Sequence, residues 1–213
     1  MIEVLIVDDH DIVREGVKQI AADTADIKVG GEARSGGEAL AEVRRRKWDV
    51  VILDLNLPDR SGMEVLSQLR MLAPHVPVLV FTMHQQSSYA TRALKAGAAG
   101  YVSKDSARAH LAAAIRKVAR GERFLTPELA ESMAFGVVDD SGENLHERLS
   151  DREFQILCLI AAGKPPRDIA AELNLSVRTV GTHRARLLAK MGLKNNAQLV
   201  QYAIEHHLLP EGK

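Results

Sequence analysis

Two adjacent carboxylates, Asp8 and Asp9, stand just beyond the apolar run from Glu3 to Val7. A third, Asp54, follows Val50 to Leu53; a hydroxyl, Thr82, follows Val78 to Phe81; and an amine, Lys104, follows the run from Ala99 to Val102. Three carboxylates gathered in one place raise one another's proton affinity unless a cation intervenes. An all-oxygen set suits Mg²⁺, which keeps several waters and so leaves room for a phosphoryl oxygen. One carboxylate could then attack phosphorus, as aspartyl-phosphate chemistry requires. Asp54 is the natural nucleophile, alone on its segment with Asn56 two residues later and a turn at Leu57-Pro58-Asp59. Thr82 would then supply a hydrogen bond, and Lys104 a counter-charge, to the other phosphoryl oxygens. Taken singly, an aspartate at a strand end usually caps a helix; the ordered set carries the chemistry.

A second constellation lies near residue 180. Val180, Leu187, Leu188 and Met191 recur on one helical face, while Arg178, Thr182, Ala185 and Arg186 occupy the opposite one, flanked by His183, Arg184 and Lys190. Such cations suit phosphate and guanine contacts. The short connection Asn174-Leu175-Ser176 before this helix fits helix-turn-helix geometry, with the later helix in the DNA major groove.

The elements that must position these groups alternate. Strands are predicted over 3–7, 27–33, 50–53, 78–81 and 99–102. Helices are predicted through Ile12, Val13, Val17 and Ile20, over 38–46, over 62–72, over 87–95, and through Leu111, Ala114, Ile115 and Val118. This pattern implies a parallel sheet covered on both faces. With the strand order 2-1-3-4-5, the first and third strands are neighbours and the carboxylates converge at the carboxyl edge. After Gly121 a short helix is predicted from Thr126-Pro127 to about Phe135, and Asp139 to Asn144 read as a polar tether. Four helices follow, opening at Ser150 with the form of a capping box, at Pro165-Pro166, at Ser176, and at Asn195 or Asn196. The expected division is 1–120, a linker 121–148, and 149–213.

The chain of 213 residues carries 28 basic and 28 acidic side chains, which excludes a uniformly basic nucleic-acid coat. Residues 149–213 nevertheless hold 9 basic against 6 acidic residues. With so small an excess, one copy should bind DNA weakly and two copies tightly. A single cysteine, Cys158, allows no internal disulfide and reads as a small core residue. Apolar runs fall far short of the ~18 residues that span a membrane. The acidic N-terminal segment lacks the form of an export leader, so a cytoplasmic protein without membrane contact is expected. The run Arg44 to Lys47, at a predicted helix end, reads as solvated surface.

With Asp8-Asp9, Asp54-Leu55-Asn56-Leu57-Pro58-Asp59, Gly62, Thr82, Tyr101 and Lys104 in this order, residues 1 to about 120 resemble the flavodoxin-like receiver domain of two-component response regulators. The resemblance implies Asp54 as phosphoacceptor and Asp9 as the nearer Mg²⁺ ligand beside Asp8 and Asp54. It also implies a backbone carbonyl of Asn56 on the metal, and Thr82, Tyr101 and Lys104 as switch and phosphate-binding residues. Where many receivers follow the lysine with a cis proline, this chain has Asp105. Leu149 to Glu153, Gly163, Ile169-Ala170, Thr179-Val180, His183 and Leu188 resemble the LuxR-type helix-turn-helix, and the two halves together resemble the NarL/FixJ subfamily. That resemblance implies DNA contacts among Arg178, Thr179, Thr182, His183, Arg186 and Lys190. The partners it implies are a sensor histidine kinase, double-stranded promoter DNA, a second copy of the phosphorylated chain, and RNA polymerase as a further candidate. Gly181 and Ala185 depart from the common pattern, so readout is expected to lean on Arg178, Thr182 and Arg186, with the helix backbone close to the DNA at Gly181. A phosphohydrolase using Asp54, and a pseudo-receiver that is never phosphorylated, are the rival readings. The first would want a general acid where Asn56 stands; the second sits badly with the intact acid pair, Thr82 and Lys104.

Overall fold

The computed structural model describes residues 1–83, 87–138, 145–206 and 208–209. The chain forms two compact units, Met1–Met133 and Ala134–Lys213. In the first, strands β1 (Ile2–Val7), β2 (Ile27–Ala33), β3 (Val50–Leu53), β4 (Val78–Thr82) and β5 (Gly100–Ser103) make one parallel sheet in the order β2-β1-β3-β4-β5. Helices α1 (Asp11–Ala22), α2 (Gly36–Arg45), α3 (Gly62–Leu72), α4 (Ser87–Lys95) and α5 (Ala107–Ala119) are the crossovers. Strands β3 and β4 are buried at every residue, as strands covered on both faces must be. Pro77 costs β4 nothing because it precedes the first strand residue, and its carbonyl accepts from the Val51 amide at 3.0 Å.

The predicted elements form with small shifts. Helix α2 begins at Gly36 rather than Glu38, because the Ser35 hydroxyl caps it by accepting from the Glu38 amide. On α1 the apolar periodicity misplaces one residue. Ile12 is 82% exposed, while Arg14 on the same helix is buried together with Val17 and Ala21. Helix α6 (Pro127–Val138) outruns its predicted end near Phe135. The expected tether, 139–144, lies outside the described residues, and a 3-10 turn follows at Leu145–Arg148. There His146 Nδ1 lies 2.8 Å from the Tyr202 hydroxyl.

Both outer strands of the sheet are covered. Along β2 the Trp48 ring packs where a side chain at Gly31 would stand, 2.5 Å from the added carbon. Arg46 lies over that ring at 3.7 Å and donates to the Gly30 carbonyl. Along β5 the Tyr101 amide donates to the Phe124 carbonyl at 3.1 Å, and the Phe124 amide to the Ala99 carbonyl at 3.1 Å.

The second unit holds α7 (Asp151–Ala161), α8 (Pro166–Glu172), α9 (Val177–Met191) and α10 (Asn196–Glu205). Ser150 and Glu153 form the full capping box of α7. Asn174, in the left-handed region at φ 51°, turns the chain between α8 and α9, a conformation asparagine tolerates. Ser176 and Asn195 cap α9 and α10, and Gly192 at φ 67° ends α9. Phe154, Ile156, Leu157, Ile169, Val180, Leu187 and Leu199 are buried, as is Cys158.

One close approach fixes the loop after β3. A Cβ at Gly62 would meet the Asp54 carbonyl oxygen at 2.3 Å and Leu55 Cα at 2.4 Å, both backbone atoms that cannot step aside. Gly62→Ala should therefore lower the stability of the first unit by about 1–3 kcal/mol. Urea unfolding followed by the fluorescence of Trp48 measures it, and an unchanged midpoint would show that the loop yields.

Candidate functional site

The strand register explains why the reactive groups meet. Val7 pairs with Leu53, so Asp8 and Asp54 each stand one residue beyond the ends of adjacent strands, and the Asp54 amide donates to the Val7 carbonyl at 2.9 Å. Thr82 pairs with Ser103 at the ends of β4 and β5, next to Lys104. Lys104 Nζ lies 2.6 Å from Asp54 Oδ2 and 2.7 Å from Asp8 Oδ2. Asp8, Asp54 and Thr82 are buried, and Asp9 is half-buried at the rim. Asn56 bridges to Ser61 across the turn, and Tyr101 is buried on β5. The sequence-predicted pocket residues Asp8, Asp9, Asp54 and Lys104 thus come together, with Thr82, Tyr101 and Asn56 on the elements around them.

Burial pushes the Asp54 carboxyl above its usual range; Lys104 pulls it back and Asp8 adds to the rise. Burial lowers the Lys104 ammonium, but Asp54 and Asp8 outweigh it and hold the amine above its ordinary value. The Tyr101 phenol is raised well above its usual range by burial and then by the charge of Asp54. Asp54 Oδ1 is buried and has no hydrogen-bond partner among the described residues. An orphaned carboxylate oxygen is costly unless something else neutralises it. One ligand atom each from Asp8, Asp9, His10 and Asp54 lie within 4.8 Å of one another, so the donor set fits a divalent cation. The peptide bond between Lys104 and Asp105 is trans, no cis bond occurring among the described residues.

Three supports escaped the sequence reading. The buried Arg14 guanidinium donates to the Asp8 carbonyl at 2.8 Å and to Glu32 Oε2 at 2.8 Å, and pairs with Asp11, holding the β1 end. Asp59 accepts from the amides of Gly36 and Gly37, both at 2.9 Å, clamping the Asp54 loop to the start of α2. His10 Nδ1 lies 2.8 Å from Asp9 Oδ1 and 3.2 Å from Asp8 Oδ1. The place of His10 directly after the acid pair was its available signal; Arg14 gave none, since an arginine on a surface helix reads as solvated.

In the second unit α9 presents Arg178, Gly181, Thr182, Ala185 and Arg186 to solvent, as predicted from its period. Thr179 is half-buried and engaged with Ser176, its hydroxyl 2.8 Å from the Ser176 oxygen. Lys190 Nζ is 2.7 Å from Glu153 Oε2 on α7, so its charge is already matched. His183 is half-buried with Nδ1 enclosed and unpartnered among the described residues. Burial, then the charges of Arg152 and Arg186, hold its imidazole below the usual range.

Comparison with known proteins decides the class. Residues 4–116 match the response regulator receiver domain, and 147–203 match the bacterial regulatory proteins of the luxR family. The chain is a two-component response regulator of the NarL/FixJ subfamily. It is 35% identical over 209 residues to the response regulator UvrY of Escherichia coli, covering 98% of this chain and 96% of that one. The response regulator GacA of Pseudomonas protegens is also 35% identical, with 98% of both chains covered. A LuxR-family response regulator structure from Aurantimonas superposes with a TM-score of 0.62 at 37% identity, covering 65% of this chain and 99% of that one. As a DNA-binding response regulator, the chain couples an acidic pocket to a helix-turn-helix.

Glu153 makes a pH prediction for the helix-turn-helix unit. Burial would raise its carboxyl, but Lys190 and the Ser150 amide and hydroxyl outweigh that and hold it below its usual range. A carboxyl lowered on folding adds stability that is full above the unfolded value of about 4.3 and fades as pH falls through the folded one. Glu153→Gln should lower the unfolding temperature of this unit at pH 7. The difference from the parent should shrink below about pH 4.3; calorimetry at pH 7 and pH 3.5 compares the two proteins, and a pH-independent difference would refute the linkage.

Proposed function

We propose that Asp54 accepts a phosphoryl group from a partner histidine kinase or a small phosphodonor, and that its phosphorylation controls dimerisation and promoter binding. The observation that carries this reading is the buried Asp54 carboxylate, with Oδ2 on Lys104 and Oδ1 without a partner among the described residues. A carboxylate oxygen of Asp54 attacks phosphorus while the bond to the donor breaks, and the leaving group takes up a proton. Lys104, already at 2.6 Å, then meets the new phosphoryl charge. Asp8, Asp9, Asp54 and the Asn56 carbonyl would hold Mg²⁺, which when bound neutralises charge on the incoming phosphoryl group. The Thr82 hydroxyl is drawn to the phosphate, and Tyr101 follows, shifting a pre-existing equilibrium between two surface states. The regulator turns over no substrate beyond loading and unloading Asp54.

On α9, Arg178, Thr182 and Arg186 read base edges, and Gly181 lets the DNA come near the helix backbone, since nothing lies within 4 Å of a Cβ placed there. Lys190 and His183, one paired and one half-buried, serve the packing of α9 rather than the DNA. Thr179 contributes through its amide end, where the cap with Ser176 fixes the start of the helix.

Acetyl phosphate with Mg²⁺ should label the parent on one residue and tighten its binding to promoter DNA. Asp54→Asn should take no label and show no such response; an equal response in the variant would sink the mechanism. For Arg186→Ala, affinity for a matched operator should fall by about 1–3 kcal/mol with a smaller loss on a scrambled one, as measured by fluorescence anisotropy. A uniform loss on both would make Arg186 a phosphate contact.

A further inference from the structure

We propose that His10 is a nitrogen ligand of the acidic pocket and tunes it toward first-row transition ions of the Co²⁺, Ni²⁺ and Zn²⁺ class in preference to Mg²⁺. This rests on the reading of the pocket as a cation site and adds the chemical class of the cation.

The backbone holds His10 at the pocket rim. Its amide donates to Asp8 Oδ1 at 2.9 Å, and its carbonyl accepts from the amides of Val13 and Arg14 at 3.1 and 3.2 Å, opening α1. The imidazole itself is 60% exposed, so it can turn from the carboxylates toward an ion without disturbing the core. One ligand atom each from His10, Asp8, Asp9 and Asp54 lie within 4.8 Å of one another. Ligands about 2.0–2.2 Å from one ion stand about 4 Å apart when opposite, so shifts of a few tenths of an ångström close this set. An independent pointer to a ligand is Asp54, 2% exposed, whose Oδ1 lacks a hydrogen-bond partner among the described residues.

Three carboxylates alone make a hard site of the kind that suits Mg²⁺. An imidazole changes this balance. It adds little for Mg²⁺ but suits zinc, nickel and their neighbours, whose affinity for a given site already rises along the first transition row. The Lys104 ammonium opposes any cation, at 2.7 Å from Asp8 and 2.6 Å from Asp54, but it opposes all divalent ions alike and leaves the preference to the ligand type.

The test titrates the full-length chain with Co²⁺, whose visible absorption reports nitrogen coordination, and then displaces it with Mg²⁺. The other seven of the eight histidines supply a background that Asp9→Asn retains and that can be subtracted. In the parent, Co²⁺ should bind the pocket at least about tenfold more tightly than Mg²⁺. His10→Ala should weaken Co²⁺ by about tenfold or more while Mg²⁺ stays within about twofold, and His10→Gln should do the same. Circular dichroism confirms that each variant is folded, and the glutamine variant serves should the alanine variant not be. A ratio of Co²⁺ to Mg²⁺ affinity equal in parent and variants overturns the proposal, as does a parent with no Co²⁺ preference. If Asp9→Asn binds both ions as the parent does, the underlying reading of the pocket as a cation site fails instead.

Discussion

The receiver half depends on holding three carboxylates against their mutual repulsion at one edge of a sheet. Two unit charges 4 Å apart interact by about 4 kcal/mol at an effective dielectric of 20, a large fraction of the roughly 5–15 kcal/mol that keeps a domain folded. The arrangement survives because Lys104 reaches across from the end of β5 to touch both Asp8 and Asp54. Everything nearby maintains that geometry. The strand ends lie level through the pairing of Val7 with Leu53 and of Thr82 with Ser103. Arg14 fixes the β1 end, and Asp59 with Gly62 fixes the turn after β3. In the proposed mechanism a phosphoryl group on Asp54 would compete for a lysine that already has two partners, and that competition would link chemistry to conformation.

The helix-turn-helix half solves a milder problem of the same kind. Its cations are few, and some of them are engaged within the unit. Lys190 closes α9 onto the buried Glu153 of α7, and Arg184 reaches Asn196 Oδ1 at 2.6 Å at the start of α10. The exposed face keeps Arg178 and Arg186 with small residues between them. In the proposed reading, a face with two arginines and a bare backbone at Gly181 would rely on fit to the groove more than on charge. This agrees with an excess of only 9 basic over 6 acidic residues in 149–213.

The strand order, the pocket residues and the four helices of the second unit were legible because each is written in local signals: apolar runs, capping residues, and polar groups one step past a strand end. What escaped was decided by contacts distant in sequence. Ile12 fits the apolar period of α1, yet it faces solvent, because the buried position on that helix goes to Arg14, whose partners are the Asp8 carbonyl and Glu32 of β2. For Lys190, expected among the DNA contacts from its place beside the outer face of α9, the packing of α7 across that helix adds an ion pair with Glu153 that its sequence neighbours do not announce. Asp59 looks like an ordinary turn residue until α2 is in place, when its two oxygens receive the amides of Gly36 and Gly37. The His146 contact with Tyr202 spans 56 residues and could be read from neither one.

The covering of the outer strands bears on how two copies can meet. An open sheet invites a neighbour to extend it through free carbonyls and amides. Here the Gly30 carbonyl on β2 is taken by Arg46 under the shelter of Trp48, and β5 is flanked by the segment at Phe124. Strand-to-strand extension between receivers is therefore hindered at these positions on both margins. In the proposed dimer, two copies would then meet through helices and loops, the surfaces that a change at the carboxyl edge can reshape.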